Sequence, residues 1–211
     1  MNRFAYFKIP ATCIRISISA LIAAAALMYA DFSVFTAMVL ISALIHETGH
    51  IVFLKAFGCE IRSITLMPFG AVIDSDEKIL SYKREAAVAL AGAVFNICAG
   101  LSALLFFAAV KDIYSLFFAL TNFTLAAVNL VPVKTLDGAR ALEAALYALL
   151  PYEKAQKCAD TVSYFSFLFL TLGGLWLLNV TGCNFSLIIF CVCVFIGVYA
   201  KKESSDYCVN A

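Results

Sequence analysis

The segment Ala43-Leu-Ile-His46-Glu47-Thr48-Gly49-His50-Ile-Val-Phe53 contains the pattern H-E-x-x-H. On a helix, residues four positions apart project from the same face, so His46 and His50 can bind one metal ion. Glu47 follows the first histidine, where it can accept a proton from an attacking water and pass it to a leaving amine. These residue types at this spacing predict a hydrolytic zinc site.

The surroundings of this pattern decide how specific it is. H-E-x-x-H is short, and in a soluble helix a chance match on an exposed face is at least as common as a metal site. Here the pattern lies in an apolar run, and His46 is about 13 Å from Lys55 along a helix axis. Lys55 lies near the end of the predicted span, so His46 would lie well inside the membrane. Ionisable groups at such a depth are rare and usually functional. Both histidines of the chain lie in this one turn, which favours the metal site.

The composition predicts an all-α polytopic membrane protein. Of the 211 residues, 64% are hydrophobic and 14% are charged, whereas a soluble domain is about half apolar and a quarter charged. We predict about six transmembrane helices, since each apolar segment is near the length that crosses the hydrocarbon core. The segments cover roughly residues 11–30, 33–57, 86–110, 113–132, 161–180 and 184–200. The net charge of +1 and the lack of a Lys/Arg block argue against a nucleic-acid partner.

The positive charges predict the orientation in the membrane. If the N-terminus is cytoplasmic, every Lys and Arg except Lys111 falls on the cytoplasmic side, as the positive-inside rule requires. We therefore expect an integral protein of a bacterial cytoplasmic membrane with both termini in the cytoplasm. The basic residues before the run 16–30 also fit a secretory signal peptide. An uncleaved first helix is favoured, because the next span begins at Phe32.

Two connections have distinctive compositions. Residues 61–73 are apolar, short for a span and rich in β-forming residues, which predicts a short membrane-associated β segment, such as a hairpin over a cavity. Residues 136–150 are rich in alanine and end at Pro151, which predicts a helix on the cytoplasmic surface. The eight cysteines contain no C-x-x-C pair, and most lie in apolar runs, so buried thiols are favoured over disulfides.

A hydrolytic zinc site needs a third protein ligand besides a water. The chain has no third histidine, so the ligand must be a carboxylate or a thiolate. Asp137 is the favoured candidate, because Pro132 breaks the helix after the fourth span and allows the chain to turn back. The alternative is that Asp137 caps the N-terminus of the following alanine-rich helix.

Two asparagines are candidates for further roles. Asn96, in the third predicted span, could form an interhelical hydrogen bond or donate one to the substrate carbonyl or the developing oxyanion. Asn129 leaves a similar choice between substrate positioning and a helix-end hydrogen bond.

Three motifs resemble those of the site-2 protease family of intramembrane zinc metalloproteases, in the family's order. They are His46-Glu-Thr-Gly-His50 for H-E-x-G-H, Ala91-Gly-Ala-Val-Phe-Asn96 for A-G-P-x-x-N, and Asn129-Leu-Val-Pro-Val-Lys-Thr-Leu-Asp-Gly138 for N-x-x-P-x-x-x-L-D-G. The resemblance implies a single zinc ion, with Glu47 as the general base. It implies His46, His50 and Asp137 as zinc ligands. It further implies that Asn96 and Asn129 contact the substrate.

The resemblance also implies the organisation and the partners. It covers residues 35–145, and the six-span layout is similar to the subgroup that includes a sporulation protease acting on a membrane-tethered sigma-factor precursor. We expect one membrane-embedded metalloprotease domain over 1–211, with a catalytic core at 33–145, additional helices at 161–200 and no PDZ or CBS domain. Its expected partners are the lipid bilayer, a membrane-spanning or membrane-tethered protein substrate and a regulatory membrane protein. Regulated intramembrane proteolysis is the implied function.

The chain departs from the family pattern at Ala93, Thr135 and Ala139, which affects expectations about the substrate more than those about the chemistry. Two alternatives remain. A metal transporter would also carry intramembrane His and carboxylate groups, but the other predicted spans are almost uniformly apolar. A catalytically inactive binding protein is disfavoured by the intact Glu47.

Overall fold

The structure is a computed structural model, and it divides the chain into two compact units, Met1–Val128 and Asn129–Ala211. It describes residues 5–9, 12–16, 25, 29, 33–67, 70–75, 81–182 and 187–195.

Three helices form the body of the first unit: α1 (Val34–Ala56), α2 (Tyr82–Val110) and α3 (Ile113–Asn129), whose last residue belongs to the second unit. The Ser33 side chain accepts a hydrogen bond from the Thr36 amide at 3.4 Å and so caps the start of α1. Helix α2 ends at its C-cap residue Lys111, whose backbone adopts the left-handed conformation and so allows a tight turn into α3. Helices were predicted over most of these residues, and that prediction is confirmed.

Three of the described helices are long and apolar enough to cross a membrane, namely α1, α2 and the helix Tyr152–Thr181 of the second unit, while α3 is a shorter apolar helix. Large apolar side chains on these helices point outward. Leu105, Phe169 and Trp176 are each at least two-thirds exposed, which would be costly in water and is expected against lipid. The structure therefore agrees with a helical membrane protein, and the number of about six crossings stays a prediction.

A four-stranded sheet completes the first unit. Its strands are β1 (Ala5–Ile9), β2 (Thr12–Ile16), β3 (Ile61–Met67) and β4 (Gly70–Ser75), in that spatial order. The pair β2–β3 is parallel and the other two pairs are antiparallel. Strands β3 and β4 occupy the predicted β segment, and their association with a membrane stays a prediction.

The sheet corrects the prediction of a membrane helix over residues 11–30. Thr12–Ile16 is a strand, because three of its five residues are β-branched and its backbone bonds to β1 and β3. Apart from residues 25 and 29, which are helical, the remainder of that predicted span lies outside the described residues.

A small apolar core joins the sheet to the cytoplasmic ends predicted for α1 and α2. Leu54 of α1, Cys59, Ile61 of β3 and Val88 of α2 are buried together, and Ile73 of β4 packs against them. This core fixes the height of α2 relative to α1, and hence which residues of the two helices face each other.

The helices α1 and α2 are antiparallel and approach each other closely at Gly49. A Cβ atom on Gly49 would lie 2.6 Å from the Ala91 carbonyl oxygen and 3.0 Å from the Gly92 Cα, both of them backbone atoms. A Cβ atom this close to backbone atoms would overlap them, so the two helices can pack at this distance only because Gly49 has no side chain.

The second unit contains α4 (Asp137–Leu149), α5 (Tyr152–Thr181) and α6, residues 187–195. Helix α4 confirms the helix predicted over 136–150. Helix α5 begins at Tyr152, nine residues before the predicted span at 161. Pro151 takes its N-cap position, and the polar residues of its first turns are helical as well as its apolar part. Free thiols are found at Cys59, Cys98, Cys158, Cys191 and Cys193.

We predict that Gly49→Ala lowers the stability of the protein. Alanine favours a helix over glycine by about 1 kcal/mol, but the backbone of α2 would have to move, and such overpacking costs about 1–3 kcal/mol. The net loss can be measured as a lower thermal unfolding midpoint in detergent. Gly173→Ala in α5 is the control, since its Cβ would meet nothing within 4 Å. A midpoint for Gly49→Ala at or above the wild-type value would contradict close packing at this point.

Candidate metal centre

The two histidines of the H-E-x-x-H pattern lie one turn apart on α1 and face α2. Both are buried, with about one-twentieth of each residue exposed, and their rings meet edge to face with centroids 4.9 Å apart. Their Nε2 atoms are 3.2 Å apart. The fold therefore brings together the two nitrogen atoms that the sequence predicted as ligands.

The hydrogen bonds to the opposite ring nitrogens define the tautomers. His50 Nδ1 lies 2.8 Å from the Val88 carbonyl oxygen, which can only accept, so Nδ1 must donate. His46 Nδ1 lies 2.7 Å from Asn96 Oδ1. The Asn96 amide nitrogen donates to the Ser42 carbonyl, so Oδ1 is the acceptor and His46 Nδ1 also donates.

In the neutral form of each ring, Nε2 is then an acceptor with a lone pair. Two lone pairs at 3.2 Å repel each other unless a cation lies between them. Zinc–nitrogen bonds of about 2.0–2.1 Å at a tetrahedral angle place two nitrogens about 3.3–3.4 Å apart. The His46–His50 pair therefore fits two adjacent corners of a tetrahedral zinc site. The outward Nδ1 hydrogen bonds are those that metal-binding histidines require.

Gly92 provides the space for the two rings. A Cβ atom at this position would lie 2.6 Å from both His46 Cε1 and His50 Nε2. Any side chain on Gly92 would thus collide with the ligand nitrogens. The second motif in the sequence can now be explained, because its Gly92 faces the rings and its Asn96, one turn further along α2, orients His46.

Two residues that sequence reasoning missed complete the hydrogen bonding. Ser42 on α1 and Asn122 on α3 are fully buried and bond to each other and to Asn96. A signal for each was available. Ser42 precedes His46 by four residues and so shares its helix face, and Asn122 is an amide within an apolar span, where unpaired polar groups are costly.

The two predicted substrate contacts differ in their surroundings. Asn96 is fully buried and forms the interhelical hydrogen bonds that were the alternative interpretation. Asn129 is half-buried at the end of α3. A substrate contact by either residue stays a prediction.

The remaining predicted residues lie as follows. Glu47 is half-buried on α1, between the two histidines in the sequence. Asp137, in the second unit, is the first residue of α4, and its carboxylate oxygen is 3.8 Å from an Arg140 nitrogen. Leu136 takes the N-cap position, so the alternative of Asp137 as the cap is not adopted. A Cβ on Gly138 would collide with the Leu130 carbonyl, so this glycine lets α4 start directly against the preceding turn.

Buried paired imidazoles on an H-E-x-x-H helix, among apolar helices, define a class of membrane metalloproteins. The model of Peptidase family M50 matches residues 34–113 and 108–173, and the chain belongs to this family. The predicted family, that of the site-2 proteases, is confirmed.

Individual relatives agree with this assignment. The chain is 29% identical over 172 residues to a zinc metalloprotease of Methanocaldococcus jannaschii, covering 79% of this chain and 48% of the relative. It is also 29% identical over 172 residues to stage IV sporulation protein FB of Bacillus subtilis, covering 80% and 58%. The chain thus spans about half the length of these relatives. The solved structure of a site-2 protease from Methanocaldococcus jannaschii superposes with a TM-score of 0.66 at 25% identity, covering 94% of each chain.

We predict that Gly92→Ala weakens zinc binding by at least about tenfold, as changes beside metal ligands commonly do. The new methyl group would lie 2.6 Å from His50 Nε2, where it displaces the ring. The measurement is zinc per chain after dialysis against a buffered zinc concentration. Gly173→Ala is again the control. Equal zinc content in wild type and Gly92→Ala would show that the metal lies elsewhere.

Proposed function

We propose that this protein is an intramembrane zinc metalloendopeptidase that cleaves membrane-spanning or membrane-tethered protein substrates in regulated intramembrane proteolysis. The observation that carries the proposal is the buried pair of His46 and His50, whose Nε2 atoms lie 3.2 Å apart with both Nδ1 hydrogens bonded. Membership of a peptidase family supports the reaction type.

One zinc ion would be held by His46, His50 and Asp137, the residues at the ligand positions of the family's motifs. Two neutral imidazoles and a carboxylate form a donor set used by catalytic zinc sites, with the fourth position left for water or substrate. Asp137 also occupies the aspartate position of the family's third motif. Zinc, when bound, polarises the scissile carbonyl and acidifies the attacking water.

Glu47 is the general base. It accepts the proton of the attacking water on its carboxylate and passes that proton to the amine of the departing peptide. Its half-buried position allows contact with water while the neighbouring histidines remain buried. The rings of His46 and His50 would take no part in proton transfer, because Nδ1 donates to the protein in each ring and Nε2 would bind the zinc.

Substrate binding would involve the sheet and Asn129. In the described part of the sheet, β4 lies at one edge and pairs with β3 on one side, so an unwound substrate segment can pair with its other side. Asn129 is the stronger candidate of the two asparagines for a substrate contact, since both amide hydrogens of Asn96 donate within the protein.

The setting is a bacterial cytoplasmic membrane with both termini cytoplasmic, where the Lys and Arg distribution places them. The family resemblance favours a membrane-tethered precursor as one type of substrate and a membrane protein as regulator. The metal-transporter and inactive-binding alternatives make different predictions in the experiment below.

We predict that Glu47→Gln abolishes cleavage while zinc stays bound. General-base catalysis contributes at least about 100-fold to the rate, and glutamine cannot accept the proton. The full chain is co-expressed with a panel of tagged single-span membrane proteins, fragments are detected on gels, and zinc is measured in the purified protein. Glu153→Gln on α5 is the control, because Glu153 is an exposed glutamate at a helix start.

A fragment with wild type and Glu153→Gln, and none with Glu47→Gln at equal expression, supports the proposal. Equal fragments with Glu47→Gln would remove Glu47 from the chemistry. Zinc bound by wild type without any cleavage across the panel would favour a binding protein or a transporter.

A further inference from the structure

A chain of buried hydrogen bonds runs from His46 through the helix bundle to the backbone of α1. Three fully buried polar residues form it, Asn96 on α2, Asn122 on α3 and Ser42 on α1. Asn96 donates to Asn122 Oδ1 at 2.8 Å, and Asn122 donates to Ser42 Oγ at 2.9 Å. The proposed metal ligand His46 is therefore connected to side chains on three helices.

The direction of this chain is fixed at its far end. Ser42 Oγ donates its only hydrogen to the Met38 carbonyl at 2.9 Å, so it can only accept from Asn122. The second hydrogen of the Asn122 amide goes to the Phe118 carbonyl at 2.9 Å. Both amide hydrogens of Asn122 therefore have acceptors, and its Oδ1 must face Asn96.

The orientation of the Asn96 amide, one step closer to the metal site, is fixed in the same way. One Asn96 hydrogen goes to Asn122 Oδ1 and the other to the Ser42 carbonyl at 3.0 Å. Asn96 Oδ1 must then face His46, where it accepts the Nδ1 hydrogen. A rotation of the Asn96 amide by half a turn would present a donor to Nδ1, and the ring hydrogen would have to move to Nε2, which could then no longer bind a metal.

His50 does not need such a chain. Its Nδ1 donates directly to the Val88 carbonyl of α2. A backbone carbonyl oxygen can only accept a hydrogen bond, so it fixes the hydrogen on Nδ1 without further support. His46 has a rotatable amide in the corresponding place, so its tautomer depends on whatever orients that amide.

We propose that Asn122 and Ser42 are positioning residues for the metal site. Through Asn96 they hold His46 in the tautomer whose Nε2 carries a lone pair. The inference rests on the proposed function only in that His46 is taken as a metal ligand. It assigns to α3 a role in metal binding although the hydrogen bonds of Asn122 do not reach His46 directly.

The test uses Co²⁺ as the probe, with the full chain purified in detergent. Asn122→Leu removes both the acceptor for Asn96 and the donor to Ser42, and Ser42→Ala removes only the hydroxyl. The dissociation constant for Co²⁺ is measured by competition with a chelator, and the visible absorption of bound Co²⁺ reports its ligands. Thr124→Leu on an exposed position of α3 and Ser102→Ala, whose exposed hydroxyl bonds to the Cys98 carbonyl, are the matched controls.

We expect the Co²⁺ dissociation constant to rise about tenfold or more in Asn122→Leu, with a changed visible spectrum, and to rise by a smaller factor in Ser42→Ala. The controls should match wild type. If Asn122→Leu does not fold, Ser42→Ala decides the question, since it removes a single oxygen atom.

Wild-type affinity and spectrum in the folded variants, together with loss of Co²⁺ in His46→Ala, would overturn this inference and leave the metal site intact. A wild-type protein that binds no more Co²⁺ than His46→Ala would overturn the proposed metal site itself, and the positioning roles with it.

Discussion

Two imidazole rings buried among apolar side chains can serve as metal ligands only if the hydrogen on the other nitrogen of each ring has an acceptor. Without one, burial of the N–H group costs free energy and the ring is free to adopt the wrong tautomer. The structure supplies two different acceptors, the Val88 carbonyl and the Asn96 side chain. Both acceptors lie on α2, and α3 contributes Asn122, which accepts a hydrogen bond from the Asn96 amide.

The close approach of α1 and α2 is what makes those acceptors reachable. Gly49 lets the two backbones come into contact, and Gly92 leaves room for both rings. Along the interface, the pairs Ser42–Asn96, His46–Gly92 and His50–Val88 advance by four residues on each helix in opposite directions. A polar site thereby forms in an apolar bundle, and the Nδ1 hydrogens of both rings have acceptors.

The buried asparagines Asn96 and Asn122 belong to this one network, together with Ser42. A transport route would require polar groups spread along a path, whereas these converge on His46. In the second unit, the turn before α4 and the small residue Gly138 give Asp137 a defined place at the start of a helix. The chemistry proposed for the chain uses few residues, and the buried polar side chains Asn96, Asn122 and Ser42 serve to orient His46.

The sequence by itself determined that the helices are long and apolar, that His46 and His50 pair beside Glu47, and which family the chain belongs to. Apolar length, four-residue spacing and the order of motifs along the chain can all be read without knowing which helices touch. The sequence-based prediction was wrong about residues 12–16, since pairing with a strand some 50 residues later overrides local apolarity. The partners of the Nδ1 atoms, the role of Gly92 and the part played by Asn122 were decided only by the tertiary structure. They depend on which residues of separate helices face each other, and that register is set by backbone contact and packing rather than by any one segment.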